Sequence, residues 1–388
     1  MKKMLLYTAL TLTFILTIFA CQKADNSTVK IGLIAELTGD VPAVGASCKN
    51  GAELAVKEIN GAGGIEINGK KYRVELFIED SGGRADQSAS AAQKLITQKN
   101  VIAIIGPNLT SNAIPASEIA ESSGVVLITP SSTNPKTTID AKSGAPKKYV
   151  FRAAFIDPFQ GRVVAKFSMD NLKAKKAAVL YDVASDYNKG IAEFFKKTFE
   201  ESGGQVVAFE TYTTNDKDFS AQLTKIKNTS PDIIFLPNYN NEVPLQIQQA
   251  HRLGIKTTFI GSDSWGSPDL LNLCGKDCEG YYFSTHYSAE SAVPSVKKFG
   301  QTYNAQYNKD PDSFAALTYD SFGLLYQAIR GAGSLNSEAV RNSLARISLY
   351  KGVTGDMHYQ PGARDPIKSA VIMQIRDGKF VWFSDARP

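Results

Sequence analysis

From Val29 onward, short runs of β-branched and aliphatic residues alternate with longer segments whose apolar positions recur every three or four residues. That alternation is the mark of βαβ units and a mainly parallel sheet. Val29 to Leu37 reads as the first strand, and the loop from Thr38 to Gly45 feeds a helix over Ala46 to Asn60. In that helix Ala52, Leu54, Ala55, Val56 and Ile59 form an apolar face, and Gly61 provides the stop. Ile65 to Asp80 reads as a hairpin turning at Asn68-Gly69, a dipeptide that tolerates the positive φ of a type I′ turn. A helix over Ala85 to Gln98, a strand over Val101 to Ile105, a helix after Thr110 and a strand over Val125 to Thr129 complete one open sheet. Pro130 to Lys148, rich in Ser, Thr, Pro and Lys, reads as a long loop on the rim.

The cycle restarts after Tyr149. Strands are expected over Ala177 to Tyr181, Gln205 to Tyr212, Asp232 to Leu236 and Thr258 to Ile260, with helices over Lys189 to Ser202, Phe219 to Asn228 and Glu242 to Leu253 between them. Helical periodicity returns near Val293 to Tyr307, Ser313 to Gly331 and Ser337 to Ala345. Strand-like Ser369 to Ile375 and Lys379 to Phe383 then flank an Asp377-Gly378 turn. Two successive open sheets in 388 residues imply two α/β lobes, and no short repeat or low-complexity tract interrupts them.

The first residues follow a different pattern. Lys2 and Lys3 precede an apolar stretch from Met4 to Ala20, and Ile18-Phe19-Ala20-Cys21 ends it with a small residue before cysteine. This reads as an export signal over residues 1–20, with Cys21 carrying a lipid and residues 21–28 serving as a tether. An uncleaved anchor is the alternative, but the stretch is Thr-rich and short of the ~20 apolar residues that a spanning helix needs. Net charge is +5 and spread without a basic run, which supports neither nucleic-acid binding nor a polybasic membrane patch. Cys274 and Cys278 can close a small disulfide loop in an oxidising compartment, leaving Cys48 free in a helix. Zinc is the alternative there, although the spacing is not CxxC and no second ligand pair accompanies it.

Candidate chemistry lies at strand ends, because open parallel sheets bind ligands outside the carboxyl ends of their strands, where helix N-termini carry partial positive charge. Gly106-Pro107-Asn108-Leu109-Thr110-Ser111-Asn112 and Thr129-Pro130-Ser131-Ser132-Thr133 place hydroxyls and amides at two such ends. Both suit a carboxylate, and both suit plain helix capping. Farther on, Tyr187, Tyr239 and Asp263 fall at equivalent ends of the second sheet, where a carboxylate can pair with an ammonium and phenols offer flat faces and hydroxyls. Enzyme signatures are missing: there is no GxGxxG, Walker loop or HExxH, and Ser264 lacks the preceding glycine of a nucleophile elbow. His251, His286 and His358 are far apart and none accompanies a nucleophile, so each reads as a structural or exposed histidine. No cofactor or metal is expected.

Taken together, Val29-Lys30-Ile31-Gly32, Gly51-Ala52-Glu53-Leu54-Ala55, Asn60-Gly61-Ala62-Gly63-Gly64-Ile65, Gly106-Pro107, Pro115-Ala116-Ser117, Ile128-Thr129-Pro130-Ser131, Asp186-Tyr187, Lys217-Asp218-Phe219 and Gly280 resemble the type I periplasmic binding proteins of branched-chain amino acid ABC importers. The resemblance spans nearly all of the chain after the export signal. It implies two Rossmann-like lobes joined by three crossings, near Tyr149 to Arg152, Thr285 to Tyr287 and Lys351 to Thr354. One lobe would comprise residues 29–149 plus 286–351 and the other 150–285 plus 352–388. By this resemblance Thr110, Ser131 and Thr133 hold the polar ends of an amino acid, Tyr187 and Tyr239 pack on it, Asp263 pairs with its ammonium, and Phe314 touches its side chain. Val44 departs from an aromatic of leucine-binding members, Ser81 and Leu109 stand where some members have a cysteine pair, and Trp265 is expected to refill part of the pocket. The implied partners are a small amino acid, the permease of an importer and, through the lipid, a membrane; a monomer is expected. Another small solute such as an amide, urea or an aromatic acid, a sensing role beside a receptor, and hydrolysis of a small amide are the competing readings.

Overall fold

The computed structural model describes residues 27–387. The export signal and Cys21 lie outside the described residues, and Thr28, assigned to the tether, is already paired with Arg73 in the first strand. Six strands form the first sheet: β1 (Thr28–Ala35), β2 (Ile65–Ile67), β3 (Lys70–Asp80), β4 (Ala103–Ile105), β5 (Val126–Thr129) and β6 (Val150–Arg152), in the spatial order β2-β3-β1-β4-β5-β6. All neighbours pair in parallel except the β2–β3 hairpin, which turns at Asn68-Gly69 as its sequence expects. Parallel strands need both faces covered. Helix α1 (Pro42–Gly61) and two late helices, α10 (Ser313–Ala332) and α11 (Ser337–Leu344), cover one face through Val44, Ala52, Leu317, Leu325 and Val340. Helices α2 (Ala85–Lys94) and α3 (Thr110–Ser123) cover the other through Ala92, Ala116 and Ala120.

The second sheet has seven strands: β7 (Lys176–Asp182), β8 (Gln205–Tyr212), β9 (Ile233–Leu236), β10 (Thr258–Gly261), β11 (Tyr282–Thr285), β14 (Ala370–Arg376) and β15 (Lys379–Ala386). Their order is β15-β14-β11-β10-β9-β7-β8, parallel except for the final antiparallel pairs. Helices α4 (Asp157–Asp170) and α5 (Asp186–Glu201) pack on one face, where burying Phe195 and Phe199 contributes about 1.5–3 kcal/mol each. Helices α6 (Ser220–Thr229), α7 (Val243–Arg252) and α8 (Pro268–Cys274) pack on the other. Helix α9 (Pro294–Tyr307) and a small hairpin of β12 (Leu349–Gly352) and β13 (Gly355–His358) also pack on the first lobe.

Two expected boundaries shift. Residues 150–152 belong to the first sheet, because Val150, Phe151 and Arg152 pair with β5, so the first crossing falls at residues 153–156. The third crossing falls after the β12–β13 hairpin, since Met357 is buried in the first lobe's core. Helix α4 falls where no element was expected, and Pro158 stands in its first turn, where it is tolerated. Gly161 permits close helix packing, since a Cβ there would lie 2.8 Å from the backbone of Phe194 and Phe195. Cys274 and Cys278 are disulfide-bonded, and Cys48 is free and buried. Among the described residues no helix is long and apolar enough to cross a membrane.

Candidate functional site

The carboxyl ends of the parallel strands of both sheets face a narrow slot between the lobes. Val44, Asn108, Leu109, Thr110, Ser131 and Phe314 line it from the first lobe; Tyr187, Tyr239, Asn240, Asp263 and Ser264 line it from the second. Six of the eight residues picked from the sequence therefore meet in one cleft: Thr110, Ser131, Tyr187, Tyr239, Asp263 and Phe314.

On the first lobe, Thr110 opens α3, and its hydroxyl lies 3.1 Å from that of Ser132. Buried Glu36, at the end of β1, accepts from the backbone N–H of Asn108 and Leu109 and from the side-chain amides of Asn108 and Asn112. It fixes the β4–α3 loop from behind, and no local sequence signal marked it. Ser131 donates to Asn108 Oδ1 at 3.2 Å. The segment after Ser131 is not the solvated rim loop expected from its composition. Buried Arg152 donates to the carbonyls of Ser132 (2.6 Å) and Asn134 (2.7 Å) and pairs with Asp365. Buried Lys147 reaches Ser117 Oγ, the Thr137 carbonyl and Glu118. Two internal cations thus hold the backbone that carries Ser131. Phe314 enters from the first turn of α10, whose N-terminus is capped by Asp312 accepting from Ala315 N–H.

On the second lobe, Asp263 begins a single 3-10 turn, Asp263–Gly266, after β10 and is only 4% exposed. Its Oδ1 accepts from Tyr187 Oη (2.6 Å) and from Gln160 Nε2 (2.9 Å), and its Oδ2 lies 3.2 Å from His286 Nε2. Burial pushes the imidazole of His286 down to about 4, against the opposing pull of Asp263. The ring is therefore neutral near pH 7 and serves Asp263 as an N–H donor. Tyr187 stacks on Tyr239 with ring centroids 5.2 Å apart, and burial raises both phenols well above their ordinary range, so both stay protonated. The cleft thus offers a buried carboxylate with only neutral donors around it, two phenol faces, hydroxyls across the gap, and an apolar wall of Val44, Leu109 and Phe314.

Two of the picked residues are not among those that line the slot. Trp265 does not refill the pocket: it is fully buried in the second lobe's core, its ring lying on Gly261 and near Phe283. Successive residues of a 3-10 turn point about 120° apart, so with Asp263 facing the cleft, Trp265 faces the sheet. Thr133 is also buried outside the lining of the slot, and its Oγ1 has no hydrogen-bond partner among the described residues. Burial pushes the carboxyl of Asp157, at the start of α4, up to about 8. Conversely, Gln160, His286, Asn240 and Ser264 belong to the site or touch it and were not picked. Across the slot's rim the lobes also touch: Asn134 Nδ2 donates to the Asp186 carbonyl at 2.8 Å, and Lys136 pairs with the Asp186 carboxylate at 2.6 Å.

Comparison with known proteins agrees with this architecture. Leu/Ile/Val-binding protein homolog 3 of Brucella melitensis is 31% identical over 359 residues, 92% of this chain and 94% of the relative. The leucine binding protein LivK of Thermotoga maritima superposes with a TM-score of 0.86 at 34% identity, covering 93% of this chain and 99% of that one. The branched-chain amino acid binding protein LivJ of Streptococcus pneumoniae, solved in complex with isoleucine, gives 0.84 at 34% identity with the same coverage. The periplasmic binding protein model matches residues 28–379, and the chain belongs to that family.

Proposed function

We propose that this chain captures a small apolar α-amino acid of the branched-chain class between its lobes, outside the cytoplasm, and presents it to the permease of an ABC importer. The observation that carries this reading is Asp263: a buried acidic side chain with two hydrogen-bond acceptors, surrounded by uncharged donors and facing a cleft. A buried carboxylate is costly without a cation, and the ammonium of an amino acid supplies one together with N–H donors. The opposite wall suits the other end of a zwitterion. Thr110 and Ser131 offer hydroxyls, and the N-terminus of α3 adds partial positive charge at short range. Val44, Leu109, Phe314 and the faces of Tyr187 and Tyr239 supply apolar walls against which an aliphatic side chain can pack. The names of the relatives point to the same ligand class.

Size explains why two lobes are needed. Leucine has about nine heavy atoms, so a ceiling of about 1.5 kcal/mol per atom allows roughly 13 kcal/mol, while micromolar binding already takes about 8. A ligand that small must use most of its surface, which an open wall cannot provide. Three crossings permit bending about one axis while resisting twist, and closure brings the two walls together. We further propose that Cys21 carries a lipid that tethers the chain to a membrane, which mass spectrometry of the mature N-terminus tests. Titration calorimetry of the delipidated protein against a panel of amino acids tests the function. Leucine, isoleucine or valine should give saturable heat, and silence from every α-amino acid rejects the reading.

A further inference from the structure

The donors around Asp263 come from unusual places. Gln160 lies on α4, soon after the first crossing, and directs both N–H groups of its amide inward, one to Asp263 Oδ1 (2.9 Å) and one to Ser284 Oγ on β11 (2.7 Å). His286 is the residue immediately after β11, at the second crossing; it points Nε2 at Asp263 Oδ2 and stacks on Phe155 of the first crossing at 3.7 Å and 26°. Gln160 and His286 are buried. The carboxylate is therefore held by His286 at the second crossing and by Gln160 in the first turn of the helix that follows the first crossing.

The neighbouring cations are engaged elsewhere. Arg152 is bound by Asp365 and by the carbonyls of Ser132 and Asn134. Lys368 donates to Thr354 Oγ1 at 2.7 Å, with Asp320 the acidic group acting on it. Asp157, at the start of α4, is the other acidic group near Asp263. None of these cations touches Asp263. A lysine or arginine at position 286 would have satisfied the carboxylate and closed it to a ligand; a neutral imidazole and an amide fix its direction and leave its charge available.

We propose that Gln160 and His286 are positioning residues of the binding site: they aim Asp263 into the cleft with uncharged N–H donors supplied from the second crossing and from the helix that follows the first, which reserves its charge for the ligand ammonium and ties its aim to the geometry between the lobes. The inference rests on the amino-acid reading above. It carries a pH signature with a definite sign. Below about pH 4 the ring of His286 gains a proton and becomes a cation against Asp263, so ligand affinity falls as pH drops toward that value.

The test is titration calorimetry with L-leucine and L-isoleucine on the wild type, His286→Gln, His286→Leu and Gln160→Leu. Loss of a hydrogen bond to a charged group predicts at least about tenfold weaker binding for His286→Leu and Gln160→Leu at pH 7.5. His286→Gln, which keeps an N–H donor, should restore most of the affinity and should lack the imidazole's share of the acid limb. Affinities of both leucine variants within twofold of wild type overturn the proposal. A second measurement needs neither variants nor ligand: ring nitrogen shifts of His286 should report a neutral Nε2–H imidazole at pH 6 to 7, and an imidazolium or the Nδ1–H tautomer overturns it. Absence of heat with the wild type and every amino acid would defeat the functional reading instead, while the nitrogen spectrum would still decide the positioning role.

Discussion

The two walls of the cleft solve the burial of polar groups in opposite ways. The first lobe spreads its polar capacity over two loops, with Thr110, Ser131, Asn108 and a helix N-terminus each contributing a neutral group. The second adds hydroxyls and an amide too, but concentrates a full charge in the single side chain of Asp263. A distributed wall loses little when one member is removed, because backbone groups and neighbouring hydroxyls remain. A concentrated wall depends on one residue and therefore needs several others to hold it, which is why Tyr187, Gln160 and His286 converge there.

The largest effect should come from breaking the concentrated wall. Asp263→Ala removes the partner of a desolvated ammonium and is expected to cost about 3 kcal/mol, a loss on the order of a hundredfold or more in affinity. Calorimetry with leucine checks this, and the thermal midpoint of the free protein separates a binding defect from a folding one. Asp263→Asn should lose nearly as much, since it keeps the shape and drops the charge. If either variant binds within threefold of wild type, the ammonium is not held there and the contrast between the walls is void.

Single changes in the distributed wall should do less. Thr110→Val and Ser131→Ala each remove one neutral donor and are expected to cost about 1 kcal/mol, roughly fivefold in affinity. The double variant sharpens the comparison. Ser131 and Thr110 serve the same end of the ligand, so once both are removed neither can compensate for the other and the double variant should lose more than the sum of the single losses. A hundredfold loss from Thr110→Val alone would mean that the first wall is concentrated too.

How much of this was legible follows from the range of each signal. The strand–helix cycle, the Asn68-Gly69 turn and the residues at strand ends depend on local period and turn chemistry, so Thr110, Ser131, Tyr187, Tyr239 and Asp263 could be picked before any coordinates. Gln160 and His286 reach Asp263 across 103 and 23 residues of chain, and nothing near either one marks it. His286 in particular reads as a solitary histidine until β11 delivers it. The segment after Ser131 misleads for a related reason: its Ser, Thr, Pro and Lys content looks solvated, yet Arg152 and Lys147 bind its carbonyls from within. Thr133 lies in the same segment, buried outside the slot's lining with its Oγ1 unpartnered among the described residues.

Trp265 supplies the smallest expected effect on binding and the most direct check on the second wall. It stands two residues from Asp263, so sequence proximity places it in the pocket, whereas the 3-10 turn sends it into the core against Gly261 and Phe283. A Cβ added at Gly261 would meet its ring at 2.0 Å, which shows how closely the indole lies on β10. Trp265→Phe keeps a buried aromatic and removes part of the apolar area. It also removes an indole N–H that has no acceptor among the described residues, so no hydrogen bond is lost. Stability should fall by about 1 kcal/mol, or roughly 2–4 °C in the thermal midpoint, while affinity for leucine stays within twofold. A tenfold loss of affinity at unchanged stability would place the ring in the cleft after all. The second wall would then consist of an aromatic as well as a charge, and its dependence on Asp263 alone would have to be given up.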